Sequence, residues 1–226
     1  MHHVLTLRDQ TLHALPSGAL YWPSEALLCV SDLHLGKSER LARRGGALLP
    51  PYETHDTLAR LDRDLETTRA RAVICLGDSF DDAAALQGLT EADRLWLLRL
   101  MAGRDWVWIA GNHDAGPMDI SGSHRNEVRT GPLTFRHIAD PLAAAEISGH
   151  YHPKARLAGK AWRCFVMDSR RILMPAYGTY TGGLWTDHPA LDGLMAPGAL
   201  AVLCGQTARV IPMPRMGSEG RHRRAF

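Results

Sequence analysis

Three short apolar runs, each broken off by a polar motif, constrain this chain more than any other feature. Ala26–Val30 runs into Ser31-Asp32, Ala72–Leu76 into Gly77-Asp78, and Trp106–Ala110 into Gly111-Asn112. Each run is short and rich in strand formers, so each reads as a buried strand whose end carries polar side chains. Helical patterns lie between them. Leu58, Leu61 and Leu65 share one face of a segment from Glu53 to Arg69. Thr90 reads as an N-cap for a second helix carrying Leu95, Leu98 and Met101, with Gly103 as its stop. Strands alternating with helices predict an α/β architecture with parallel pairing at its centre.

After Pro132 the pattern becomes mostly β. Leu133–His137, Glu146–Gly149, Trp162–Met167, Arg171–Met174, Ala199–Cys204 and Ala208–Ile211 read as strands, and Pro141–Ala145 as a brief helix. A second sheet packed on the first is expected. Residues 1–216 read as one domain, and 217–226, with Arg221, Arg223 and Arg224, as a basic tail expected to be mobile.

Composition narrows the function classes. A formal net charge of +2 does not mark the whole surface as a polyanion binder, so an anionic substrate has to be attracted locally. Cys29, Cys75, Cys164 and Cys204 lie far apart in apolar runs, which suits buried thiols in a reducing compartment rather than a disulfide framework. No apolar stretch approaches the length of a membrane span, and the N-terminal residues lack a signal peptide's layout, so a cytoplasmic protein is expected.

Chemistry-bearing residues fall into five motifs in chain order: Asp32-Leu-His34, Gly77-Asp78-Ser-Phe-Asp81, Gly111-Asn-His-Asp114, His137 and Gly149-His-Tyr-His152. Each is weak alone; their joint order is a strong signal. Carboxylate, amide and imidazole groups suit two divalent ions, and the lack of cysteine in the set argues against a structural zinc site. Asp32 and His34, one residue apart, would face the same side of an extended segment. Asp78 is placed to bridge two ions, Asn112 offers a carbonyl oxygen, and His150 and His152 repeat the first spacing after a glycine. His137 is favoured over His124 as the lone imidazole because it ends a strand-like run. Two such ions, about 3.5–4 Å apart, clamp a phosphate and activate a water. His113 is the candidate general acid or charge stabiliser, and Asp81 the candidate that orients it.

Motifs in this order resemble the calcineurin-like metallophosphoesterases. That resemblance implies two packed mixed β-sheets flanked by helices, an αββα sandwich, around a dinuclear site. Asp32, His34, Asp78 and His152 would surround one metal, and Asp78, Asn112, His137 and His150 the other. Ser31–Lys37, Gly149–Lys154, Arg163–Phe165 and Met174–Gly183 resemble, more narrowly, the bacterial ligase-associated DNA-damage-response phosphoesterases. This implies a manganese-dependent endonuclease on single-stranded DNA, acting in DNA repair in association with an ATP-dependent DNA ligase and a helicase; iron or zinc would also suit the ligands. Asp81 and Asp82 stand where that subgroup often has a histidine. The competing expectation is a small-molecule phosphodiesterase, pyrophosphatase or phosphomonoesterase on the same site.

Other residues have plainer readings. His2, His3, His13, His55, His188 and His222 are expected at the surface or in packing, and Trp106 and Trp108 in the core. Lys37, Arg40, Arg43 and Arg44 form either a phosphate-tracking patch or a solvated face. Tyr177 and Tyr180, among glycines, are candidates for base stacking.

Overall fold

A computed structural model describes residues 1–46, 48–82 and 84–215; the expected basic tail, 217–226, lies outside the described residues. The first sheet has the spatial order of the chain: β1 (His3–Leu7), β2 (Gln10–Ala14), β3 (Leu20–Trp22), β4 (Leu27–Val30), β5 (Ala72–Leu76), β6 (Asp105–Ile109) and β7 (Ser123–Arg125). β1 to β4 form an antiparallel meander, whereas β4 to β7 pair in parallel. Parallel neighbours need crossovers, and these carry α1 (Lys37–Arg43), α2 (Glu53–Thr68), α3 (Ala85–Gly88) and α4 (Glu91–Met101).

The second sheet contains β8 (Glu127–Thr130), β9 (Leu133–Arg136), β10 (Glu146–Ser148), β11 (Lys154–Leu157), β12 (Lys160–Met167) and β13 (Arg171–Leu173). After the short helix α5 (Pro189–Asp192) it is completed by β14 (Leu200–Leu203) and β15 (Arg209–Pro212). Its order is β15-β14-β12-β13-β10-β9-β8, with β11 paired to β12. β10 runs parallel to both β9 and β13, so this sheet is mixed as well.

Side-chain alternation divides the core into layers. In β5, Ile74 and Leu76 face the second sheet, where they meet Phe135, Ile147, Phe165 and Ile172. Val73 and Cys75 point the other way, into a cluster with Leu58, Leu61 and Leu65 of α2, Leu97 and Leu100 of α4, and Trp106 and Trp108. Beyond the second sheet, Cys164, Val166, Leu173 and Leu203 pack with Leu191 and Met195. The expected pair of mixed sheets with flanking helices is the architecture observed. All four cysteines are free and buried, and burial pushes their thiols up.

Two local readings need correction. Pro141–Ala145 is a turn rather than a helix: the Asp140 carboxylate accepts from Leu142 N at 2.9 Å and its carbonyl from Ala143 N at 3.0 Å. Asp32 and His34 do not lie in an extended segment; their φ angles are +53° and +46°.

Candidate metal centre

Every expected ligand sits just past a strand. Asp32 and His34 follow β4, Asp78 follows β5, and Asn112 follows β6. From the second sheet, His137 follows β9, and His150 and His152 follow β10. Side chains thus gather at the carboxyl ends of strands, the place where open α/β sheets bind ligands.

The backbone there is bent in an unusual way. Asp32, His34, Asp78, His150 and His152 all have φ between +46° and +69°. An L-residue in this region pays roughly 1–2 kcal/mol, and such strain persists only where the surroundings over-determine it. Gly149 shows how tight the surroundings are: a Cβ there would stand 1.8 Å from Ser31 Oγ and 2.7 Å from Asp32 Oδ2. A Cβ on Gly111 would lie 2.2 Å from both the amide nitrogen and Oδ1 of Asp78.

Two groups of ligand atoms result. Asp32, His34 and His152 converge in one, Asp78, His137 and His150 in the other. Within the second, His137 Nε2 stands 3.0 Å from Asn112 Oδ1, 3.2 Å from His150 Nδ1 and 3.4 Å from Asp78 Oδ2. Its other nitrogen, Nδ1, donates to the Leu76 carbonyl at 2.7 Å. In the neutral ring Nε2 is therefore a lone pair turned toward the Asn112 and Asp78 oxygens, an arrangement that a cation relieves. His34 behaves alike. Its Nδ1 bonds Asp81 Oδ1 at 2.7 Å, and its buried Nε2 has no hydrogen-bond partner. His152 Nε2 is likewise buried without a hydrogen bond, although Asp32 Oδ1 lies 3.0 Å away. The donor set fits two divalent ions of the oxygen- and imidazole-preferring kind.

Charge is arranged to keep the carboxylates ionised. Burial opposes the Asp78 carboxylate, yet the hydrogen bond and charge of His137 outweigh it and hold the pKa at about 2. Burial likewise opposes Asp32 and Asp81; His152 and His137 bring the first down, and His34, Lys37 and Arg40 the second. His137 is raised, since Asp78 and Asp32 outweigh its burial, whereas burial and His137 lower His150.

His113 lies at the rim. Its amide donates to Asp78 Oδ1 at 2.9 Å, and its ring stands edge-on to His34 with centroids 5.1 Å apart. The expected partnership with Asp81 forms, and it runs through the main chain rather than the carboxylate. His113 Nδ1 meets the main-chain carbonyl of Asp81 at 2.9 Å, while the Asp81 carboxylate is taken by His34, by Arg40 and by Lys37 at 3.5 Å. Asp81 also groups with His34 and His113 as possible ligands, but a carboxylate already held by two cations and an imidazole orients its neighbours rather than binding an ion.

The same contacts decide the basic cluster. Lys37 and Arg40 pair with Asp81, Arg43 with Glu39 and Asp82, and Arg44 with Asp82. Their charge is spent inside the protein. Tyr177 is buried and donates from its hydroxyl to Asp64 at 2.8 Å, which rules out base stacking by this ring; Tyr180 is 40% exposed. His124 lies on β7, and its Nε2 meets the Ile120 carbonyl at 3.3 Å, apart from the two ligand groups.

One residue of the GNHD motif had no role assigned from sequence. Asp114 is 4% exposed and accepts from Asp78 N, Ser79 N, Phe80 N and Gly111 N at 2.7–3.2 Å. It clamps the Asp78 loop to the Asn112 loop. The only signal was a carboxylate inside a turn motif, which reads equally as a solvated loop residue.

Comparison with known proteins agrees with this geometry. The calcineurin-like phosphoesterase profile matches residues 26–189. The crystal structure of nuclease MPE from Pseudomonas putida superposes with a TM-score of 0.71 at 30% identity, over 93% of this chain and 100% of that one. Among curated proteins none matches the chain. Motifs, fold and family profile agree: the chain belongs to the calcineurin-like phosphoesterases and is a metal-dependent phosphoesterase.

Proposed function

We propose that the chain is a nuclease that hydrolyses phosphodiester bonds of single-stranded DNA, with two manganese ions, in DNA repair in the cytoplasm. The observation that carries the chemistry is the pair of converging ligand groups with His113 beside them. The nuclease named above supports a nucleic acid as substrate, and the markers around the motifs support DNA and an association with a ligase and a helicase.

Asp32, His34, Asp78 and His152 would hold one ion, and Asp78, Asn112, His137 and His150 the other. Bound there, the ions supply Lewis acidity and a nucleophile usable near neutral pH. The protein's own groups do the rest. Asp114 and the Leu76 carbonyl fix the loops and the His137 ring. Asp81 fixes His34 through its carboxylate and His113 through its carbonyl. With Nδ1 of His113 engaged, Nε2 is the atom available to protonate the departing oxygen as the bond from phosphorus breaks.

A panel of single-stranded DNA, duplex DNA and RNA, run with each metal in turn, tests the reading. Cleavage of single-stranded DNA with manganese is expected, abolished by Asn112→Ala and by His150→Ala. Intact DNA with metal demonstrably bound overturns it, as does faster turnover of a generic phosphomonoester than of a phosphodiester.

A further inference from the structure

Two cavities open beside the centre on the β6–β7 side. One, of about 400 Å³, is lined by Gly111, Asn112, Asn126, Arg136 and His137 among others. Its neighbour, of about 340 Å³, is lined by Trp108, Asp114, Pro117, Met118, His124 and Arg125 among others. Both share Ala110 and Asn126 as walls, so they form one trench leading from Asn112 to Arg125. Each lies near the lower end of the usual range for small-molecule sites, roughly 300–1,000 Å³, a size that suits one nucleotide.

We propose that this trench holds the strand of the polynucleotide adjoining the scissile phosphate, with Arg125 gripping the neighbouring phosphate. The inference rests on the DNA reading given above and deepens it. Charge is the first support. Arg125 is exposed, and its guanidinium donates only to the His124 carbonyl, at 2.8 Å, with no ion pair to a carboxylate among the described residues. The cluster near α1 is the reverse case, since each of its four cations faces a carboxylate. An unpaired guanidinium is the group best shaped to bind phosphate in two-point fashion.

The acids that line the trench do not cancel it. Asp114 turns inward onto four amides, and Glu127 is held by Arg136 at 2.8 Å and Arg129 at 3.8 Å.

Rigidity is the second support. Arg125 pairs with Ile109 in the sheet, and its carbonyl accepts from Ala110 N at 2.8 Å. Asn112 is two residues beyond Ala110, at most roughly 7 Å of chain. The arginine is therefore fixed by the same strand that delivers a metal ligand. Pro117 and Met118 add apolar surface against which a base can lie.

The test compares two substrates: a single-stranded oligonucleotide and the small diester bis(p-nitrophenyl) phosphate, which has no neighbouring phosphate for Arg125 to grip. In Arg125→Gln the oligonucleotide KM is expected to rise about 5–10-fold, and its dependence on salt to weaken by about one phosphate contact. Turnover of the small diester is expected to stay unchanged, and Arg125→Lys to recover part of the loss. Asn126→Asp, at an exposed position, places a repelling charge on the shared wall and should raise the same KM whether or not the first variant folds. Unchanged oligonucleotide KM and salt slope in both variants overturns the subsite. So does an equal loss on both substrates. Hydrolysis of the diester by a wild-type protein that leaves all DNA intact removes the DNA reading itself, and the subsite with it.

Discussion

The two sheets contribute unequally to the centre. Loops of the first sheet bring Asp32, Asp78 and Asn112, all oxygen donors, with His34 as their one imidazole. Loops of the second bring His137, His150 and His152, imidazoles throughout. Support differs in the same way. The first-sheet loops are braced by carboxylates: Asp114 on four amides and Asp81 on His34, Lys37 and Arg40. The second-sheet loops are held through their main-chain amides: His150 N donates across to the Asp32 carboxylate at 3.0 Å, and Gly149 N to the His137 carbonyl at 3.0 Å. The charged half is thus a self-braced unit, and the imidazole half takes its position by docking on it.

The largest expected effect breaks the oxygen side. Asp78→Ala removes the carboxylate proposed to serve both ions, and cleavage should fall by more than about 10³-fold, a loss of roughly 4 kcal/mol at about 1.36 kcal/mol per decade of rate. His152→Ala, which touches only one group, should fall by clearly less in the same steady-state assay; equal losses would contradict the inequality of the halves.

Bracing comes next. Asp114→Ala leaves four buried amides short of an acceptor, and a loss of about 3 kcal/mol is expected in urea unfolding of the metal-free protein. Smaller still is Asp81→Asn. It weakens the partner of His34 Nδ1 and should lower metal affinity by about 10–100-fold, read by calorimetric titration, with the fold retained. Last is Arg43→Ala, whose exposed, solvent-screened pairs with Glu39 and Asp82 should leave the urea midpoint and DNA binding essentially unchanged. A marked loss of DNA binding there would return the α1 cluster to the substrate.

Much of this was legible in sequence. The three apolar runs became β4, β5 and β6, because parallel strands buried on both faces read as near-continuous apolar stretches. Glu53–Arg69 and the Thr90 cap also held, the latter accepting from Asp93 N at 3.1 Å. The N-terminal meander went unread. Leu5 and Leu7, then Leu12 and Ala14, alternate inward as a hairpin should, but the turn between them is Arg8-Asp9 at φ +50° and +62°, without the glycine that usually marks it. At the centre, the motifs identified residues that do converge, while the manner of their convergence was hidden. Sequence spacing suggested an extended Asp32-Leu-His34, and it does not encode a left-handed backbone. Nor does it tell whether a carboxylate such as Asp81 meets a neighbour through its side chain or its carbonyl.

That left-handed backbone bears on how the centre is best silenced. Asparagine tolerates positive φ at least as well as aspartate, whereas alanine does not. At Asp32 and Asp78, with φ of +53° and +47°, an asparagine replacement removes the charge and leaves the loop close to its native shape. An alanine replacement changes the chemistry and the backbone together. Dead variants meant for trapping bound substrate therefore belong to the asparagine series, and alanine variants at these positions report two defects at once.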